Sequence, residues 1–123
     1  MRRVLGVVAV VVCGSVGVGV APAGSAPSCE ARIYVTNYRS GTLSVFDAAT
    51  NPPTPVVGSP VSTGTGPRGV AVSPDGTRVY VTNFGSNTLS VFDAATNTQV
   101  AGSPVPTGDS PEGVAVSPDG TRI

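Results

Sequence analysis

Residues 78–97 read RVYVTNFGSNTLSVFDAATN, and residues 32–51 read RIYVTNYRSGTLSVFDAATN. Sixteen of these twenty positions are identical, and the differences are Ile33/Val79, Tyr38/Phe84, Arg39/Gly85 and Gly41/Asn87. A second unit, GVAVSPDGTR, stands unchanged at 69–78 and 113–122. The first unit recurs after 46 residues and the second after 44. A period of that size marks a repeat architecture, in which each unit buries its apolar face only against the next.

Working outward from the repeat, residues 33–36 and 79–82 are β-branched and aromatic, which suits a pleated, partly buried strand. Residues 42–46 and 88–92 alternate apolar with small polar residues, the strand period of two. The 83–87 stretch between the two strands is turn chemistry, so the pair reads as a hairpin. Ser73-Pro74-Asp75-Gly76-Thr77 is a second hairpin loop, in which Pro presets φ and Gly takes the left-handed position. Asp93-Ala94-Ala95-Thr96-Asn97 forms a third, with Asp93 accepting from the amides ahead of it and Asn97 left-handed. Residues 99–105, broken by Gly102 and Pro104, suit an edge strand. The expected fold is therefore all-β: β-propeller blades of four antiparallel strands, forming a partial propeller.

These repeats resemble the YVTN family of β-propeller repeats. The signature strand stands at Tyr34-Val35-Thr36-Asn37 and Tyr80-Val81-Thr82-Asn83, with the SPDG turn before Tyr80 and the P-x-G-V-A-V segment at Pro67 and Pro111. The resemblance spans residues 32–123. It implies one blade over 32–65, a second over 66–108, and the first strand of a third over 110–123. Closing a ring takes about four blades or more, so about two imply a piece of a longer protein. A short protein that assembles a ring from several chains is the alternative.

Residues 1–23 read as a signal peptide: Arg2-Arg3, an apolar run over 4–20, and the Ala21-Pro22-Ala23 cleavage site. Residues 24–31 form a linker. A membrane anchor is the competing reading of the same run, whose length is near that of a span. Cleavage after Ala23 would leave no stable membrane span and would place the protein outside the cytoplasm, in the cell envelope or secreted. Cys29 is then a single cysteine in a secreted chain, either a free thiol or one with a partner elsewhere.

The chain carries 7 basic and 7 acidic residues and no His. Two of the Arg lie in the leader, so the remainder is slightly acidic and no nucleic-acid partner is expected. Without His there is no Ser–His or Cys–His nucleophile system, and no Cys/His cluster has zinc spacing. Asp47, Asp75, Asp93 and Asp119 read as turn-forming residues rather than metal ligands. No cofactor is expected. The copies diverge in the loop before each inner strand, Arg68 against Glu112. In a propeller these loops ring one mouth of the channel, so Arg68 and Glu112 are the candidate ligand-binding residues. They should be neighbours at the end of the stack opposite the SPDG turns. A solvated rim ion pair is the plainer reading of the two. The expected function is a binding scaffold for a protein, polysaccharide or small ligand. The resemblance also admits a lactonase-like enzyme similar to 6-phosphogluconolactonase, or a surface-layer structural repeat protein.

Overall fold

The computed structural model describes residues 8–10 and 31–123. These residues form two antiparallel sheets and contain no helix. In the first sheet β1 (Val8–Val10) pairs with β2 (Arg32–Asn37), β2 with β3 (Thr42–Asp47), and β3 with both β4 (Thr54–Pro55) and β5 (Val61–Ser62). In the second, β6 (Pro67–Val72) pairs with β7 (Arg78–Asn83) and β7 with β8 (Thr88–Asp93). There β8 carries both β9 (Thr98–Gln99) and β10 (Val105–Pro106). The two central hairpins share one register: Tyr34 lies opposite Val45, and Tyr80 opposite Val91.

The second blade packs on the first through β6 and β2. Alternation along a strand sends successive side chains to opposite faces. On the first blade the buried set is Tyr34, Thr36, Leu43 and Val45. On the second it includes Val79, Val81, Ser90 and Phe92, the other face of the same repeated strands. Leu89 and Val91, the copies of Leu43 and Val45, are only half-buried. Tyr34, Leu43, Val45, Val70, Val79, Val81, Phe92 and Ala94 form one core between the blades. Burying a Val or Leu side chain is worth about 1.5–3 kcal/mol, so this shared core is what joins the two sheets.

Polar bonds set the spacing of the stack. Thr36 donates through Oγ1 to the carbonyl of Arg68 at 3.0 Å, and Thr82 to the carbonyl of Glu112 at 3.0 Å. Thr82 Oγ1 also accepts from the Gly69 amide at 2.8 Å. Arg32 crosses the same interface to donate to the Ala94 carbonyl at 3.0 Å. Its copy Arg78 stays within its own blade and pairs with Asp93 at 3.0 Å.

The structure changes several details of the sequence reading. Asn83 closes β7 instead of opening the turn, and it is fully buried. Its Nδ2 donates to Thr88 and Ser90, and its Oδ1 accepts from Gly64. The single edge strand expected over 99–105 is two short pieces, β9 and β10. Gly102, at φ 84°, turns the chain away between them. Ser103 Oγ then accepts the Val91 amide at 2.8 Å, replacing the missing ladder partner, and Ser59 does the same for Val45 at 2.8 Å. The segment expected as the first strand of a third blade, within 110–123, takes no strand pairing in 111–117, because no described strand lies beside it to complete a ladder. Its SPDG turn is nevertheless formed, with the Gly120 amide donating to the Ser117 carbonyl at 2.8 Å.

Residues 8–10 fall in the stretch read as a signal peptide. Their backbone runs antiparallel to β2 on the side that β6 takes against β7. The Val-Ala-Val triplet recurs in β6, but one residue out of step: Val8 faces Tyr34, whereas Ala71 faces Tyr80. The remaining residues of 1–30, with the cleavage site, the linker and Cys29, lie outside the described residues.

The stacking distance makes one glycine far more demanding than its copy. A Cβ at Gly69 would sit 2.6 Å from the Glu112 carbonyl oxygen and 2.9 Å from Thr82 Oγ1, whereas one at Gly113 meets nothing within 4 Å. Gly69→Ala is expected to lower stability by about 1–3 kcal/mol through this overlap. Gly113→Ala is expected to stay within about 0.5 kcal/mol. Urea unfolding of both variants measures the difference.

Candidate functional site at the variable end of the blades

Each strand hairpin has two kinds of end. At one end the SPDG turn meets the DAAT loop, with the Ala94 amide donating to the Thr77 carbonyl at 3.0 Å. Asp75 Oδ1 accepts from Ser73 Oγ at 2.5 Å, the Thr77 amide at 3.0 Å and Thr77 Oγ1 at 2.8 Å. Asp119 repeats the set with Ser117 and Thr121. Hydrogen bonds to the ionised form favour it, the serine hydroxyl most, and hold both carboxyls at about 2. Asp93 is lowered as well, first by the Ala95 amide and then by that of Thr96. Asn97 takes the left-handed conformation expected of it, at φ 55°. These carboxylates are spent on their own turns; the SPDG turn is the same in both copies, and the DAATN loop is two residues longer in the first, by Pro52-Pro53.

The other end holds most of the differences between the copies. Tyr38/Phe84, Arg39/Gly85, Gly41/Asn87, Ser62/Pro106, Thr65/Asp109, Gly66/Ser110 and Arg68/Glu112 all lie in the turn after the YVTN strand or in the segment leading into β6 and its counterpart. The backbone changes are matched in kind: Gly41 and Asn87 are both left-handed, at φ 66° and 54°, as are Gly66 and Ser110, at 62° and 56°. The side-chain chemistry is what differs.

Arg68 and Glu112 meet here as an ion pair, at the opposite end of β6 from Asp75. The Arg68 side chain is 20% exposed and that of Glu112 66%. The guanidinium carbon sits 3.8 Å from the Phe84 ring centroid and 5.5 Å from that of Tyr38. Those two rings are 6.5 Å apart and tilted. Arg68 Nε is buried and has no hydrogen-bond partner among the described residues. The cation is therefore clamped by aromatics from both blades as well as by the carboxylate. Sequence reasoning placed the pair correctly and missed Tyr38 and Phe84. The signal was present, since they are among the four differences within the long repeat.

Beside the clamp a cleft of about 540 Å³ opens, lined by Tyr38, Arg39, Ser40, the 62–66 segment, Ser86 and Thr88. Gly64 closes its floor. A Cβ there would lie 2.4 Å from Ser86 Oγ, while at its copy Gly108 it would meet nothing within 4 Å. Among the described residues no group of three or more His, Cys, Asp or Glu is placed to hold a metal ion.

Among solved structures the chain is similar to hydrazine synthase of Kuenenia stuttgartiensis, a β-propeller-containing protein. The TM-score is 0.64 and the identity 30%, over 72% of this chain and 24% of that one. The fold is that of β-propeller blades. In sequence the chain is 51% identical over 53 residues to the PE-PGRS family protein PE_PGRS18 of Mycobacterium tuberculosis, covering 43% of this chain and 11% of that protein. It thus spans about a quarter or less of the length of either protein. No family model matches the chain.

Two predictions rest on this geometry. Arg68→Ala, which empties the aromatic clamp, is expected to cost more stability than Glu112→Gln. The latter removes only the exposed partner and should change stability by no more than about 1 kcal/mol. Thermal unfolding of the two variants compares them. The second concerns acid. Carboxyls lowered from 3.8 to about 2 contribute stability that is full above the unfolded value and lost as pH falls through the folded one. Asp75→Asn should be less stable than the parent near neutral pH, and the gap should close between about pH 4 and about pH 2. Urea unfolding across that range reads it.

Proposed function

We propose that the protein is an extracytoplasmic binding scaffold, whose blades present variable loops at one end to a protein, polysaccharide or small ligand. The observation that carries this reading is the segregation of sequence change. Most substitutions between the two copies lie around the Arg68 clamp and the adjoining cleft, while at the other end the SPDG turn is unchanged and the loop after β3 differs by the added Pro52-Pro53. A stack held together by a shared core and repeated bonds can carry different loop side chains from blade to blade. Arg68 and Glu112 are the contact residues in this reading. The charged, apolar-cored leader supports export. The resemblance to YVTN repeats, whose members are commonly found outside the cytoplasm, agrees with the leader.

Sedimentation of the purified chain with isolated cell envelopes tests the reading. The parent protein should co-sediment, the Arg68→Ala/Glu112→Ala variant should bind more weakly, and Ala95→Glu, at the repeated end, should bind like the parent. Equal loss in both variants, or no binding by the parent, would overturn it.

A further inference from the structure

The cleft beside the clamp differs in charge from the equivalent place in the second blade. Arg39 is exposed and makes no hydrogen bond or ion pair among the described residues. Its copy is Gly85, and where the first blade has Thr65 the second has Asp109. In the second blade Asn87 accepts the Ser110 amide at 2.8 Å. Its Nδ2 also lies 3.5 Å from Asp109 Oδ1. In the first blade Gly41 stands at that position and lines the cleft. The second-blade loops thus carry an acidic residue and bond to one another through Asn87, whereas the first-blade loops carry the basic Arg39.

The lining of the open cleft is chemically specific. Ser62 and Thr65 present exposed hydroxyls with no hydrogen bond among the described residues. Tyr38, 38% exposed, lines the cleft, with its ring edge near the Gly66 backbone and its centroid 5.5 Å from the Arg68 guanidinium carbon. An aromatic ring offers an apolar face to the C–H groups of a sugar, with a polar tip for its hydroxyls. Free serine and threonine hydroxyls both donate and accept, which matches a polyol. A guanidinium without a carboxylate partner is suited to bidentate recognition of one.

We propose that this cleft binds an acidic saccharide, a sugar chain bearing carboxylates. Arg39 takes the carboxylate, Tyr38 packs against the ring, and Ser62 and Thr65 hydrogen-bond its hydroxyls. The proposal rests on the scaffold reading and names a ligand class for it.

Calorimetric titration of the full chain with a short oligogalacturonate, its methyl ester and inorganic phosphate tests this. The two decisive variants, Arg39→Gly and Thr65→Asp, introduce residues that the second repeat already carries at the same positions, so the fold accommodates them. The oligogalacturonate should bind. The ester, which lacks the charge, should bind about tenfold more weakly, and each variant should weaken the acidic sugar by about tenfold or more. Phosphate should not displace it at equal concentration. Absence of binding, equal binding by the parent and both variants, or displacement by phosphate would each overturn the proposal, the last by showing a simple anion site. If the acidic sugar fails to bind while envelope sedimentation still depends on Arg68 and Glu112, the cleft proposal falls and the scaffold reading stands.

Discussion

Thr36 and Thr82 each donate to a backbone carbonyl of the segment that begins the following unit, that of Arg68 and that of Glu112. The rest of the structure is spaced by this repeated bond. At Thr36 it joins the two sheets, and at Thr82 it brings the backbone of residues 112–113 close enough that Gly69 has no room for a Cβ. A hydroxyl buried at such an interface without an acceptor would carry a desolvation cost, so the bond also selects one distance and one register between blades. The apolar contacts among Tyr34, Leu43, Val45, Val79 and Val81 supply most of the driving force. The threonine decides where they meet.

The residue after that threonine does a related job within each blade. Asn37 donates to Thr42 and Ser44, and Asn83 to Thr88 and Ser90, which ties the second strand of a blade to the third. Asn83 further holds the Gly64 amide from the preceding unit. One buried side chain thus couples a hairpin to its neighbour and sets the floor of the cleft. The variable loops can change because these bonds lie beneath them. Tyr38 and Arg39 directly follow the first of these asparagines, and Phe84 and Gly85 follow the second. Each pair is placed by the asparagine before it, and the Phe84 and Gly85 amides donate in turn to the Gly66 and Thr65 carbonyls at 2.9 Å.

A repeat whose substitutions gather at one end resembles other folds in which the loops vary and the frame carries stability. The Arg68 clamp lies between the two roles. It is mostly buried and touches aromatics of both blades, so it stiffens the variable end. The Arg39 side chain is outside the frame, with no partner to restrain it among the described residues.

Much of this was legible in the sequence. The repeat period, the all-β character, the turn chemistry of Asp75, Asp93 and Asn97, and the proximity of Arg68 to Glu112 follow from local rules: alternation, turn preferences, and strands that place successive loops at opposite ends. Other features depended on what lies across the interface. TLSVFD is spelled identically in β3 and β8, yet Leu43 and Val45 are buried in one while Ser90 and Phe92 are buried in the other. Both faces of such a strand can be buried, and a neighbouring sheet chooses which. For the same reason Gly69 and Gly113 look alike in sequence but only the first is crowded. Arg32 reaches across to Ala94 where Arg78 pairs at home. The sequence by itself determined the repeating unit and its turns, because these arise from short-range backbone preferences. Only the tertiary structure decided which face is core, which glycine is indispensable and where the open cleft lies, because each depends on contacts between residues tens of positions apart.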